Sequence, residues 1–399
     1  MAERCDVVVV GAGILGLATA WTLLGDRPGL RVAVVDKEHR VAAHQSSHNS
    51  GVVHAGVYYA PGSAKARLCR DGKRRLEEFC AERGIPLRHN GKVIVAVDED
   101  ELPRLAELGR RATANAVEGL RELDAGDVRA LEPNVRAIRG LHSPRTGVVD
   151  FALVCRILAA EVREREGEVQ LSRPVTGIEE RAGEVVVTTP RGELVADRVV
   201  TCAGLQSDRV AAMTGDAGDE RIVPFRGSWY VLRRPELVNG NVYPVPDPRL
   251  PFLGVHLTPR IDGSVWVGPN AVPAGAREGY RRGSVDLRDV RDVLRHPGSW
   301  RLASRYAASG ARELVEDHSR HLYARAVRRY VPEVDADDLV AGPSGIRAQA
   351  VGRDGAMVED FSIGGSGRVL HVRNAPSPAA TSGLSIAREL VDRLYGGGS

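Results

Sequence analysis

Residues 5 to 24 read CDVVVVGAGILGLATAWTLL, a β-branched run that passes into a Leu/Ala-rich one through Gly11, Gly13 and Gly16. Valine packs well on a pleated surface and Leu and Ala lose little freedom in a helix, so the change from strand to helix falls at the glycines. The three glycines do different things. Gly11 permits the tight turn, Gly13 lets the backbone approach a pyrophosphate, and Gly16 lets the helix pack closely on the strand. Phosphates then sit at the helix N-terminus, where free N–H groups and the helix dipole favour negative charge. A second strand, RVAVVD, ends at Asp36, 20 residues beyond Gly16, where a carboxylate can accept hydrogen bonds from ribose hydroxyls. The unit predicts a dinucleotide-binding βαβ module of the Rossmann type.

The rest of the composition narrows the class. At 399 residues the chain predicts two domains, and 43% hydrophobic with 27% charged residues is an ordinary globular balance. No apolar run reaches about 18 residues, so no transmembrane span is expected. The N-terminus enters a strand without a signal-peptide pattern, which points to the cytoplasm. A net charge of +3 and 5% aromatic residues argue against nucleic-acid partners. Five scattered cysteines with no CxxC pair argue against a zinc site or a disulfide framework, leaving free thiols and no metal. From Arg277 to Arg329 there are 13 Arg, no Lys and 7 acidic residues, a net of +6. Such a stretch is a solvated helix face or a peripheral dock on the anionic inner face of the cell membrane.

Two later features favour FAD over NAD. Strand patterns over residues 169–200 lead into TCAGLQSD, whose small corner Ala203-Gly204 allows close approach to the first glycine loop; Val175, within the same stretch, is a further expected cofactor contact. Near the end, HVRNAPSPAATSGLSIARELVDRLY turns a Pro/Ala-rich loop into a final amphipathic helix starting near Ser382-Gly383. A helix N-terminus there can stabilise negative charge on a reduced flavin. The segment HQSSHNSGVVHAG (44–56) lacks the extra ligands of a metal site and the GxSxG elbow of a serine nucleophile. Its small residues Ser46, Ser47, Asn49, Ser50 and Gly51 instead suit donation of hydrogen bonds beside a flat ring.

The order of these pieces resembles the D-amino-acid oxidase superfamily of FAD enzymes, and more closely the L-2-hydroxyglutarate dehydrogenase/oxidase family. The closer likeness lies in SSHNSGVVHAGVYYAPGSAKARLC (46–69), GPNAV (268–272), REGY (277–280), GIRAQ (345–349) and NAPSPAATS (374–382). The resemblance implies FAD held by the glycine loop with Ile14, by Asp36 and Lys37, by the 46–51 loop, and by Thr381, Ser382, Gly383 and Leu384. It implies oxidation of L-2-hydroxyglutarate to 2-oxoglutarate, with hydride passing from C2 to flavin N5 and electrons onward to a quinone or to oxygen. An amine oxidase of the same fold, of glycine or sarcosine type, is the alternative; a non-catalytic nucleotide-binding protein is a third reading.

Oxidising a 2-hydroxy acid requires a base for the hydroxyl proton. His256, in GVHLTPR, is the preferred candidate and His54 the second. A small dicarboxylate also needs cations, best supplied by guanidinium groups. Arg67, Arg260, Arg347 and Lys65 are the candidates, with His48, Tyr58, Tyr59 and Asn374 beside them. The expected fold is α/β: a discontinuous FAD-binding domain (1–85, 141–220, 335–399) interleaved with an α+β substrate domain (86–140, 221–334) built on a mixed sheet. ARELVEDHSRHLYARAVRRYV (311–331) is expected as one helix outside that sheet.

Overall fold

The computed structural model describes residues 3–216, 218–249 and 252–396. Strand Glu3–Val10 takes the centre of the first sheet because Val7, Val8 and Val9 are fully buried, with both neighbours parallel to it. The parallel strands run in the order 168–170, 32–35, 3–10, 192–201, 369–374. Antiparallel strands Gly177–Arg181 and Glu184–Thr189 extend the sheet from the first half of Gly192–Thr201. Helices Ile14–Asp26, Phe151–Glu164 and Gly383–Tyr395 share one apolar core.

The glycine turn is dictated by close packing. Gly11 has φ +110°, and a Cβ there would lie 2.4 Å from the Cys202 carbonyl oxygen. At Gly16 a Cβ would lie 1.9 Å from the Gly11 carbonyl oxygen, so this glycine serves helix-to-strand packing rather than ligand contact.

The second sheet is mixed, as expected. Its one parallel pairing joins Asn241–Pro244 to Lys92–Ala96, among otherwise antiparallel partners. Strand Leu339–Val351, expected with the nucleotide domain, belongs here instead because it pairs antiparallel with Arg221–Leu232 along nearly its whole length. Arg139–Ser143 likewise stays in this sheet beyond the boundary drawn at 141. We therefore propose moving the boundaries to about 144 and 352. The single helix expected over 311–331 is two, Ala307–His318 and Arg320–Arg328. Ser319 between them is extended and its hydroxyl caps the second helix by accepting from the Leu322 N–H. The Arg-rich stretch is not uniformly solvated, since Arg277 is 1% exposed and ion-paired with Asp208 and Asp289. All five cysteines are free, with Cys5 and Cys202 only half-buried. No helix among the described residues is long and apolar enough to cross a membrane.

Candidate active site

A single cavity of about 1860 Å³ runs from Asp36 past Gly11 and Gly13 to His256 and Arg347, so it is walled by residues of both sheets. The loop after the second strand is shaped by its own polar side chains. Asn49 Nδ2 donates to the carbonyls of Gln45 and Ser46 (3.0 and 2.9 Å), and its Oδ1 accepts from the Gly51 N–H at 2.8 Å. Ser46 Oγ accepts from the Ile14 N–H at 2.9 Å, which ties the loop to the start of the first helix. Ser46, Asn49 and Ser50 face the cavity, whereas Ser47 turns its hydroxyl back to the His44 carbonyl.

The upper half of the cavity fits a dinucleotide. The N-cap of the first helix, Gly13, has no side chain of its own; Ser46 Oγ takes the Ile14 N–H, and Gly13 and Ile14 line the groove. Asp36 is fixed by two amides, accepting from the N–H of Ala12 (2.6 Å) and of Glu38 (2.8 Å), with its carboxylate on the groove wall. Val175, Ala203 and Gly204 close one side and Thr381 another. Ser382 Oγ is buried without a partner, while Gly383 and Leu384 begin the final helix against Ile14, behind the cavity wall. Lys37 reaches the groove but its ammonium is engaged by Glu38 and by Glu278 at 2.8 Å. That ammonium sits among Glu38, His44 and Glu278, whose ligand atoms otherwise lie close enough to hold a cation.

At the lower end, His256 Nδ1 lies 2.9 Å from the Gly254 carbonyl oxygen. A carbonyl can only accept, so Nδ1 carries the proton and Nε2 keeps its lone pair. Burial, followed by the charges of Lys92 and Arg347, pushes the imidazole down to about 3. The ring packs on Tyr243, with centroids 4.1 Å apart. Arg347 lies over Phe252, 4.7 Å from the ring centroid, and no carboxylate among the described residues ion-pairs with it. Tyr58 Oη and Trp229 Nε1 are buried, unpartnered and on the cavity wall. Lys65, Tyr59 and Asn374 also reach it; the Asn374 amide nitrogen is held by the carbonyls of Val358 and Asp360. His54 reaches it too, its N–H held by Thr381 Oγ1 at 3.1 Å and its basicity lowered by burial. His48 is held by the Ser344 carbonyl and stacks on Tyr280 at 3.8 Å.

Arg67, Arg260 and Gly51, all expected at the cavity, lie outside it. Arg67 is 54% exposed and pairs with Glu389, because residues two apart on a helix point to nearly opposite sides and Lys65 takes the inner one. Arg260 donates to the Asn49 carbonyl at 2.9 Å and lies on Trp266. Four extended residues span about 13 Å, so Arg260 is too far along the chain to share a small ligand with His256. Its role is to pin the loop from behind at Gly51, where a Cβ would lie 2.6 Å from its guanidinium and φ is +75°; Gly51 is thus loop architecture too. Sequence reasoning missed Trp229, Tyr243 and Lys92. The only sequence signal was a lysine heading the apolar run KVIVA, a costly residue to bury without a reason.

Known proteins resemble this chain in sequence and fold. The family model for FAD-dependent oxidoreductases of the DAO type matches residues 6–393. The chain is 44% identical to human mitochondrial L-2-hydroxyglutarate dehydrogenase over 98% of its own length and 88% of that protein's. It is 41% identical to the Escherichia coli L-2-hydroxyglutarate dehydrogenase, covering 98% and 93% of the two chains. Among solved structures, L-α-glycerophosphate oxidase from Mycoplasma pneumoniae with FAD bound superposes with a TM-score of 0.81 at 25% identity, over 98% and 95% of the chains. Glycine oxidase from Geobacillus kaustophilus has a TM-score of 0.74 at 19% identity, over 100% and 96%, a likeness of fold alone.

Proposed function

The chain belongs to the FAD-dependent oxidoreductase family, with L-2-hydroxyglutarate dehydrogenases as relatives over nearly its full length, and from that premise we infer that it oxidises L-2-hydroxyglutarate to 2-oxoglutarate. The observation carrying this reading is one cavity that joins a dinucleotide groove to a neutral histidine and an arginine with no ion-pair partner among the described residues. Bound FAD supplies the two-electron acceptor for the hydrogen leaving C2. The protein's own part is to hold the substrate and take the hydroxyl proton. His256 Nε2, with its lone pair free, receives that proton. Arg347 and Lys65 neutralise the two carboxylates, and Tyr58 Oη and Trp229 Nε1 supply donors that the protein leaves unused. Ser46, Asn49, Ser50 and Thr381 border the cofactor.

Anaerobic bleaching of the flavin tests the substrate class. L-2-Hydroxyglutarate should reduce it far faster than the D enantiomer, L-lactate, glycine or sarcosine, because only it presents a second carboxylate to the cations at the correct hand. Equal bleaching by L-lactate would remove the dicarboxylate reading, and preference for glycine or sarcosine would assign an amine oxidase.

Reoxidation by a membrane quinone is the further part of this reading, with oxygen as the competing acceptor. Val285, Leu287, Leu294 and Trp300 are 65%, 83%, 52% and 60% exposed. They share the segment with the exposed Arg288, Arg291 and Arg295. The three Asp of the segment leave it neutral in sum, but Asp289 and Asp292 are paired with Arg209. Exposed arginines therefore outnumber the exposed Asp286 beside these apolar side chains, which suits the headgroup region of an anionic bilayer. Vesicles containing phosphatidylserine and a quinone should sediment the protein in a salt-sensitive way and reoxidise it faster than air-saturated buffer does. Trp300→Ala should release it. Reoxidation by oxygen alone, without vesicle binding, would assign an oxidase.

A further inference from the structure

Lys92 is 1% exposed, and among the described residues no carboxylate ion-pairs with it. Its surroundings are aromatic and weakly polar: the Tyr243 ring 4.0 Å from Nζ, the Tyr58 ring at 5.1 Å, and the Cys69 thiol from the helix Ala64–Glu82. Strand register explains the placement. Asn241 pairs in parallel with Lys92, and Val242 pairs antiparallel with Leu257, which sets Tyr243 opposite His256. Lys92, Tyr243 and His256 therefore share one face of the sheet, with Tyr243 directly opposite His256 on the middle strand and Lys92 diagonal to Tyr243, two residues before Ile94, the direct partner of Tyr243. An isolated buried ammonium is costly, and burial pushes this one down to about 7. Removing the amine would spare that cost, so its presence beside the candidate base calls for a chemical reason.

We propose that Lys92 is a positioning residue for proton abstraction: packed on Tyr243 beside His256, its charge adds to burial in holding the imidazole neutral, and an entering dicarboxylate supplies the counter-charge that the neighbouring side chains withhold. The inference rests on His256 being the base. The groups facing this pair are Tyr58, Tyr243, Cys69, His54 and Arg347, and Lys65 faces His54. None of these is a carboxylate; Glu313 acts on Arg347, and Asp360 and Glu359 on Lys65, from further out, so a dicarboxylate is the anion that would sit directly against the cations. No bond changes at Lys92 itself; the proton passes from the substrate hydroxyl oxygen to His256 Nε2.

The test is the pH dependence of the limiting rate of anaerobic flavin reduction in FAD-loaded wild type, Lys92→Met, Lys92→Gln, Lys92→Arg and His256→Asn. The rate falls on the acid side as the base becomes protonated. Loss of a neighbouring positive charge makes the imidazole easier to protonate, so the acid limb should move up by about one pH unit in Lys92→Met and Lys92→Gln. Lys92→Arg should bring it back. A merely structural lysine would lower the melting temperature and leave the limb in place, and that outcome in either neutral variant overturns the proposal. Loss of FAD loading in both neutral variants also counts against it, since it assigns the lysine to folding. In His256→Asn the limb should vanish; a limb that persists there overturns the base assignment itself, whatever the Lys92 variants do.

Discussion

His256→Asn is expected to lower the limiting rate of anaerobic flavin reduction by about 10²- to 10⁴-fold, the usual contribution of a positioned general base. Asparagine can keep a donor near the Gly254 carbonyl while removing the ring nitrogen that receives the proton, so the loss falls on chemistry rather than on the local fold. FAD should stay bound, because the cofactor groove is built by the first sheet and the 44–52 loop, whereas His256 stands on the second sheet. Stopped-flow reduction separates saturation from the limiting rate. Substrate affinity should change little compared with that rate. A variant reducing its flavin at nearly the wild-type limiting rate would transfer the role to His54, which shares the cavity and is also held neutral by burial.

Arg347→Met should produce the second large effect, on binding. Truncating one member of a buried hydrogen-bonded charge pair costs about 2–5 kcal/mol, so the dissociation constant for L-2-hydroxyglutarate should rise by about 30-fold to several thousand-fold. Among the described residues no carboxylate ion-pairs with Arg347; in the free enzyme its guanidinium lies over the Phe252 ring, with Glu313 acting on it only from a distance. The same variant should melt no lower than wild type, because replacing an unpaired buried charge by an apolar chain of similar length removes a desolvation cost. Arg347→Lys keeps the charge but loses the planar fork, and its dissociation constant should fall between the two. Isothermal titration and thermal melts of the FAD-loaded proteins measure both quantities. Unchanged affinity in Arg347→Met would give the carboxylate to Lys65.

Much of the nucleotide half was legible in the chain because its demands are local. The φ of +110° at Gly11 and the 1.9 Å that would separate a Gly16 Cβ from the Gly11 carbonyl oxygen are demands of the turn itself, and Asp36 follows from where the second strand ends. The Cys202 carbonyl that also crowds Gly11 comes from the neighbouring strand. In the 46–51 loop the chain announced small polar residues but not their use: Ser47 and the Asn49 amide nitrogen bond within the loop, and Ser46 Oγ accepts from the adjoining helix start. Strand alternation likewise announced a mixed second sheet. What the chain could not disclose were directions set by distant partners. Arg67, Arg260 and Arg347 are equivalent as letters; a Glu on the last helix takes the first, a loop carbonyl the second, and only the third is left unpaired against the cavity. Strand Leu339–Val351 joined the second sheet because Arg221–Leu232 offered a long antiparallel edge more than a hundred residues earlier in the chain. Lys92, Tyr243 and His256 became neighbours through register alone, across strands separated by up to 164 positions. Local sterics thus made the glycine turn and the end of the second strand legible from sequence, while the charge environment of the other end of the cavity was decided by which long side chains found partners once the two sheets closed on each other.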